Sequence, residues 1–276
     1  MDLKNFVIYS DMDGTLLTDW DRGPCVPKRN LQGIRKLMQK GGAFSIATGR
    51  QYKDTMAFFP DILFNAPTVQ GNGAVIYDCS ADKVLKATPV LPSCKKELVE
   101  YTRRFPNLWL APADVDRIYE ISFNDARDGS LHDVIKPRSK ISIEEFYSRD
   151  FIKVCFILGD PAFMPQLEKD YANMKCSENL NHACSSPIYF ECYDRTVDKG
   201  KGVLEARKYA GLEDKKLVCI GDYFNDRSML LAADIAACPE NAPQEIKDIC
   251  SIVTCNNNEG AIGDLIDRLE EMQEIN

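Results

Sequence analysis

The chain has 276 residues, a formal net charge of -8 and 45% apolar residues, which is ordinary for a globular protein with one large domain or two smaller ones. The acidic balance lacks the basic footprint of a nucleic-acid binder, and no run rich in lysine and arginine suits an anionic membrane surface. The eleven cysteines include no C-x-x-C pair. Their distribution favours reduced cysteines in the cytoplasm over a disulfide framework, a zinc site or a redox pair.

The apolar run at residues 6–9 is too short, and too soon followed by Asp11, for a signal peptide. No apolar stretch approaches the length of a membrane span. We therefore expect a cytoplasmic protein without a nucleic-acid or membrane partner, and its oligomeric state stays open.

Eight short apolar runs predict buried strands. Their continuity, in place of alternation, is typical of strands covered on both faces, as in parallel sheets. In chain order they are residues 6–9, 44–47, 75–77, 151–158, 188–193, 217–220, 235–238 and 252–254. Apolar residues recur at helical spacing in residues 31–38, 203–210, 226–233 and 261–272. The alternation of strands and helices predicts α/β units with right-handed crossovers.

The middle of the chain, from about Ser80 to Arg195, has a different pattern. Turn-forming and charged residues become denser, as at 114–129, and residues 119–123 alternate between polar and apolar side chains. We interpret this stretch as a second, α+β domain inserted into the first.

The pentapeptide Asp11-Met12-Asp13-Gly14-Thr15 directly follows the first predicted strand. Because residues two apart point the same way in an extended chain, Asp11 and Asp13 can face one point beyond the strand. In doubly wound sheets this edge is where ligands bind. A solvated Asp-Gly turn is the plainer alternative. A calcium-binding EF-hand loop fails, since Leu16 stands where its glycine is required.

Two other predicted strands also end in reactive residues. The run at 44–47 leads into Thr48, and the run at 217–220 leads into Asp222. If these strands are parallel neighbours, both residues converge with Asp11 on one edge of the sheet. Each could instead be an ordinary helix cap, but three such endings are together a stronger signal than one.

Convergence would gather the carboxylates of Asp11, Asp13, Asp222 and Asp226. Carboxylates that lie so close together raise one another's pKa unless a cation is present. Oxygen ligands suit Mg²⁺, which shares its coordination shell with water and substrate phosphate. Zinc is disfavoured, because the only histidines, His132 and His182, lie in the predicted insertion, where we expect them at the surface.

A carboxylate beside Mg²⁺ can attack phosphorus and form an aspartyl-phosphate, and we assign that attack to Asp11. Asp13 would protonate the leaving alcohol and then deprotonate the hydrolytic water. The charge on the transferred phosphoryl group needs donors. The Thr48 hydroxyl, the Gly49 N–H and a lysine are the candidates.

The lysine comes from the segment Asp198-Lys199-Gly200-Lys201-Gly202, at a predicted helix start. A glycine-rich helix entrance suits an anion, although the order of a P-loop is absent. Either lysine could instead be a solvated surface residue.

Taken together, these motifs resemble the haloacid-dehalogenase-like phosphatases, specifically the Cof-type subfamily, which acts largely on sugar phosphates. The resemblance is carried in order by residues 11–17 (DMDGTLL), 47–50 (ATGR), 199–200 (KG) and 221–226 (GDYFND). Residues 72–74, 241–242 and 253–260 resemble further segments of the family.

The resemblance implies an α/β fold with a Rossmann-like parallel-sheet core, residues 1–81 and 195–276, and a large inserted cap domain, residues 82–194, that faces the substrate. It also implies Mg²⁺ held by the Asp11 side chain, the Asp13 backbone carbonyl and Asp222, with Asp226 orienting metal waters. Asn225 would position the lysine or the phosphate. The family pattern favours Lys199 over Lys201 as that lysine.

The activity implied is that of a Mg²⁺-dependent phosphatase, a phosphoric monoester hydrolase acting on a small phosphorylated metabolite such as a sugar phosphate. A phosphomutase with the same nucleophile and a non-catalytic regulator that binds a phospho-ligand are the alternatives. A regulator would be expected to lack a catalytic carboxylate or the lysine, and all are present.

Two departures from the family pattern stand near the motifs. Asp198 precedes the lysine where a small polar residue is usual, and could alter the charge that Lys199 experiences. Pro239-Glu240 stands before Asn241 where a glycine is more typical. The predicted cap carries no motif that identifies the substrate.

Overall fold

A computed structural model describes residues 2–59, 64–125 and 139–272, which form two compact units. The core unit comprises the described parts of residues 1–49, 56–86 and 198–276, and the inserted unit those of 50–55 and 87–197. Residues 50–55 join the inserted unit because the Tyr52 N–H donates to the Val115 carbonyl at 3.1 Å and Lys53 pairs with Asp116 at 3.0 Å. The domain limits drawn from the sequence, 82 and 194, remain a prediction.

Strands and helices occupy the segments predicted for them and several more. The strands are β1 (Phe6–Ser10), β2 (Ala43–Ile46), β3 (Thr68–Gln70), β4 (Val75–Asp78), β5 (Lys83–Ala87), β6 (Leu108–Ala113), β7 (Tyr119–Ile121), β8 (Ser139–Ile141), β9 (Lys153–Leu158), β10 (Leu180–Ser186), β11 (Tyr189–Asp194), β12 (Lys216–Ile220), β13 (Ile235–Pro239) and β14 (Ile252–Thr254). The helices are α1 (Lys28–Gln39), α2 (Tyr52–Met56), α3 (Pro92–Thr102), α4 (Ile143–Ser148), α5 (Met164–Tyr171), α6 (Lys199–Tyr209), α7 (Arg227–Ala232), α8 (Gln244–Lys247) and α9 (Ala261–Glu271).

A five-stranded parallel sheet in the order β14-β13-β12-β1-β2 forms the centre of the core unit. The whole of β1 is buried, and its side chains alternate between two apolar layers. Phe6 and Ile8 pack with α1 and α9 on one face, and Val7 and Tyr9 pack with α6 and α7 on the other. Helices on both faces explain the continuous apolar runs, and the prediction of an α/β fold with a parallel-sheet core is confirmed.

Buried Asn30 of α1 ties the loop after β1 to α9. Its side-chain N–H donates to the Leu16 carbonyl at 3.0 Å. Its carbonyl oxygen accepts from the N–H groups of Ile262 and Gly263 at 2.9 and 3.0 Å. These N–H groups lie in the first turn of α9, where helical partners are lacking.

Three of the apolar runs form antiparallel strands, so the expectation of parallel pairing is wrong for them. In the core unit β4 pairs with β3, because a turn as short as Gly71–Gly73 can only reverse the chain. In the inserted unit β9 and β11 are antiparallel neighbours in a sheet ordered β10-β11-β9-β6.

The strand β9 shows why the pattern misled. Val154 and Phe156 pack into a core with α3 and α5, while Cys155 and Ile157 pack with Trp109 on the opposite face. Continuous apolar residues therefore report cover on both faces, and they carry no information on strand direction.

All eleven cysteines lie in described residues, and none of them is bridged to another. In the described ranges no helix has both the length and the apolar character that crossing a membrane requires.

Candidate active site

Three loops leave the parallel sheet at one edge. Ser10, the last residue of β1, is in register with Ile220 of β12 on one side and Ile46 of β2 on the other. The loops that begin at Asp11, Thr48 and Asp222 therefore start side by side, which is the convergence expected from the strand order.

Thr48 and Asp222 do not serve as helix caps. The helix after Thr48 begins only at Tyr52, and the turn after Asp222 is capped by Tyr223. Thr48 is buried, and its N–H donates to the Val69 carbonyl at 2.8 Å. Gly49 follows it as a half-buried residue.

The turn after Asp11 is built around the Asp222 carboxylate. The Thr15 hydroxyl donates to Asp222 Oδ1 at 2.8 Å. Gly14 has φ +77°, and a Cβ at this position would overlap the same carboxylate. The Asn241 amide in turn donates to the Gly14 carbonyl at 2.8 Å. Glycine at 14 is thus required both by backbone conformation and by space.

Lys199 is the lysine that reaches the acidic cluster. It is the first residue of α6, and its buried Nζ lies 2.5 Å from Asp11 Oδ1 and 2.6 Å from Asp226 Oδ1. Burial disfavours the charged ammonium, but the two carboxylates outweigh burial and raise the pKa of Lys199. Lys201 lies elsewhere, with its Nζ 3.3 Å from Asp198 and its side chain 59% exposed.

Asp226 has both carboxylate oxygens engaged. One meets Lys199, and the other accepts the N–H groups of Asp222 and Tyr223 at 3.0 and 3.1 Å. Asp226 thus fixes the loop after β12. The proposed orientation of metal waters by Asp226 remains a prediction, as does the role of Asn225, whose amide nitrogen lies 3.4 Å from the Asn72 side-chain oxygen.

The carboxylates of the site carry more negative charge than Lys199 balances. Burial, then Asp226, raises the pKa of Asp11 well above its usual value against the opposing effect of Lys199. Burial and Asp226 likewise raise the pKa of Asp222 to about 7, although the Thr15 hydroxyl acts against them. Half-buried Asp13 adds to both effects.

Among the described residues, oxygens of Asp11, Asp222 and Asp226 lie within 4.8 Å of one another, so this cluster could bind a divalent metal. An all-oxygen set with surplus negative charge fits a hard cation. The Asp13 side chain is not one of the three groups, and metal binding by its backbone carbonyl, which the resemblance implies, remains a prediction. His182 is exposed and stacks on Phe190, and His132 lies outside the described residues.

Sequence reasoning placed Thr15, Asn72 and Asn241 within family-like segments but assigned none of these three polar residues a role in the site. Asn241 follows β13 as Asp222 follows β12, so its position after a strand was an available signal. Thr15 and Asn72 act through partners that are 207 and 153 residues away, and no local pattern indicates such pairs.

Comparison with known proteins gives a single family. A model described as haloacid dehalogenase-like hydrolase matches residues 8–266. Phosphatase YwpJ of Bacillus subtilis (strain 168) is 25% identical over 286 residues, which cover 95% of this chain and 99% of YwpJ. The 5-amino-6-(5-phospho-D-ribitylamino)uracil phosphatase YwtE of the same organism is 24% identical over 288 residues, with coverage of 95% and 97%.

Solved structures give the same fold. A haloacid dehalogenase-like hydrolase from B. subtilis aligns with a TM-score of 0.79 at 22% identity, covering 96% of this chain and 99% of that one. The subclass IIB sugar phosphatase BT4131 aligns with a TM-score of 0.78 at 18% identity, covering 96% and 98%.

Proposed function

The chain belongs to the haloacid dehalogenase-like hydrolases and is a phosphoric monoester hydrolase, and from this premise we propose that Asp11 is the nucleophile that takes phosphate from a small phosphorylated metabolite. One observation carries the proposal. The Asp11 carboxylate ends a central strand 2.5 Å from the Lys199 ammonium, and its ligand atom lies within 4.8 Å of those of Asp222 and Asp226. A carboxylate can attack phosphorus, and the buried ammonium beside it can stabilise the negative charge of the transferred phosphoryl group.

We infer that the metal is Mg²⁺. The side chains of Asp11 and Asp222, with the backbone carbonyl of Asp13, would hold it, and Asp226 would lie in its outer shell. The raised pKa values of Asp11 and Asp222 support this fit, because a divalent cation favours both ionised forms. Bound Mg²⁺ supplies positive charge against the phosphate oxygens.

The reaction then proceeds in two displacements at phosphorus. An Asp11 oxygen forms a bond to phosphorus as the ester P–O bond breaks, and Asp13 gives its proton to the leaving alcohol oxygen. Asp13, now ionised, takes a proton from water. The resulting hydroxide oxygen attacks phosphorus and releases the Asp11 carboxylate and inorganic phosphate.

The phosphoryl oxygens need donors in both steps. Lys199 provides an ammonium, Thr48 a hydroxyl, Gly49 a backbone N–H and Asn225 a side-chain N–H. Thr48 and Gly49 lie in the loop after β2, Asn225 lies in the turn after β12, and Lys199 begins the helix α6.

The substrate we propose is a phosphate monoester of a polyhydroxylated carbon chain, with a sugar phosphate as the first choice. Two relatives support this class. BT4131 is a sugar phosphatase, and the substrate in YwtE's name carries its phosphate on a ribityl chain.

A matched pair of variants tests the nucleophile. Asp11→Asn keeps the size of the side chain and removes its nucleophilic oxygen, so release of phosphate from a panel of sugar phosphates should fall at least about a thousandfold. Asp21→Asn, which changes an exposed residue, should keep wild-type turnover. Thermal melting would verify that both variants fold, and full turnover by folded Asp11→Asn would refute the assignment.

Removal of metal tests the cofactor. Chelation with EDTA should abolish phosphate release and added Mg²⁺ should restore it, whereas full activity in chelator would remove the metal from the proposal. Product analysis from a single sugar phosphate separates hydrolysis from a mutase reaction, since a mutase would yield an isomeric sugar phosphate and no free phosphate.

A further inference from the structure

The turn Gly71–Gly73, between β3 and β4, touches the loops that carry the proposed phosphate-binding residues. The Asn72 N–H donates to the Thr48 carbonyl at 3.0 Å. The Asn72 side-chain oxygen accepts from Asn225 Nδ2 at 3.4 Å. Asn72 is 1% exposed, so these contacts are made away from bulk water.

The same turn lies against the start of α6, where Lys199 is found. Gly73 has φ +104°, and a Cβ there would overlap the carbonyl of Asp198, the residue before Lys199. Because glycine has no Cβ, the backbone of Gly73 can lie directly against the backbone of Asp198. A single turn therefore adjoins three chain segments that the sequence keeps far apart.

Asn72 itself is held in an unusual conformation. Its φ of +57° and ψ of 32° lie in the left-handed region, which costs most residues free energy and which asparagine tolerates better than others. A residue in this region at a functional site is a reason to look for a function of its side chain.

The side chain of Asn72 can decide which way the Asn225 amide points. The oxygen and nitrogen of a carboxamide have nearly the same shape, so only their hydrogen-bond partners distinguish the two orientations. With Asn72 accepting one hydrogen of Asn225 Nδ2, the second hydrogen on that nitrogen can be donated to a phosphate oxygen. In the opposite orientation an oxygen would face the phosphate and repel it.

We propose that Asn72 is a positioning residue for phosphate binding, which acts through the amide of Asn225 and the backbone of Thr48. The inference rests on the proposed function, because the ligand it serves is the phosphoryl group of the substrate.

Asn72→Gly is the informative variant, because glycine adopts φ +57° without strain and removes only the carboxamide. We expect kcat/KM on a sugar phosphate to fall about tenfold, the size expected for one oriented hydrogen bond to a charged group. Competitive inhibition by inorganic phosphate should weaken by a similar factor. The rise in melting temperature that inorganic phosphate gives the wild type should shrink as well.

A double-mutant cycle separates positioning from a general weakening of the fold. Asn225→Ala should lower kcat/KM about tenfold in the wild type and little further in the Asn72→Gly background. The reason is that each substitution removes the same oriented hydrogen bond from the Asn225 amide to the phosphate. In the Asn72→Asp background, where an acceptor oxygen for the Asn225 amide stays in place, Asn225→Ala should still lower kcat/KM about tenfold.

Asn65→Ala is the matched structural control. Asn65 accepts the Phe44 N–H at 2.8 Å and donates to the Gly42 carbonyl at 2.9 Å, so its loss should lower the melting temperature and leave phosphate inhibition unchanged. Unaltered phosphate inhibition in folded Asn72→Gly, or additive effects in the cycle, would overturn the inference. A wild-type enzyme that hydrolyses no phosphoester would overturn the proposed function instead.

Discussion

Replacement of Lys199 by methionine should destabilise the core unit strongly. Methionine fills much of the same space, but it leaves the carboxylates of Asp11 and Asp226, 6% and 0% exposed, without the ammonium between them. Removing one partner of a buried ion pair typically costs about 3–5 kcal/mol. Because Lys199 serves two buried carboxylates, we expect a loss near the upper end of this range.

Urea unfolding followed by circular dichroism, in chelator so that no metal compensates the carboxylates, measures the effect. Lys201→Met is the control, since Lys201 is 59% exposed and pairs with Asp198 at the surface; it should cost about 0–1 kcal/mol. If Lys199→Met unfolded within about 1 kcal/mol of the control, Lys199 would not be the group that balances the cluster.

Three further substitutions test other parts of the structure. Gly14→Ala should lower the free energy of unfolding by more than about 1 kcal/mol and abolish phosphate release, because its Cβ would displace the Asp222 carboxylate; an active, equally stable variant would contradict the packing. Asn30→Ala should cost about 3 kcal/mol in urea unfolding, since it leaves two N–H groups of α9 and a carbonyl without their partner; a loss below about 1 kcal/mol would count against this role. Burial acts against ionisation of Asp264, but its bond from the Cys255 N–H and its arginine neighbours lower its pKa. Its contribution to stability is therefore present above the unfolded pKa of about 4 and lost as the pH falls through the folded pKa; Asp264→Asn should flatten that acid limb in unfolding midpoints measured against pH, and an unchanged limb would exclude the effect.

The position of the candidate site at one edge of the sheet could be predicted, because the sequence pattern that indicates it is local. Each of the three reactive loops follows a short apolar run, and parallel pairing of β12, β1 and β2 brings their ends together. The family motifs add the order in which these loops occur. The sequence therefore predicted the convergence of Asp11, Thr48 and Asp222 on the condition that the three strands are parallel neighbours, which they are.

The local sequence could not decide between Lys199 and Lys201 as the lysine of the site, since both lie in the first turn of the same helix. Helix geometry decides it, because residues two apart on a helix point to different sides. Residue 199 faces the cluster, and residue 201 faces Asp198 and solvent. The residues alone left both lysines open.

The strand pairing of the inserted unit and the conformation of the Gly71–Gly73 turn could not be predicted from local sequence patterns. Antiparallel pairing of β9 with β11 depends on which faces are covered, and an apolar run gives only the fact of cover. Asn72 has its left-handed conformation where it contacts Thr48 and Asn225, which lie 24 and 153 residues away in the sequence. Interactions over such separations leave no periodic trace in the sequence.

Trapping of the covalent intermediate tests the central claim most directly. The enzyme would be mixed rapidly with a sugar phosphate and quenched with borohydride, which reduces an acyl phosphate to an alcohol, and its peptides would then be mapped by mass spectrometry. We expect homoserine at position 11 in the wild type and nowhere in Asp11→Asn. Turnover of the substrate with an unmodified Asp11, or with the modification at another carboxylate, would contradict the assignment of the nucleophile.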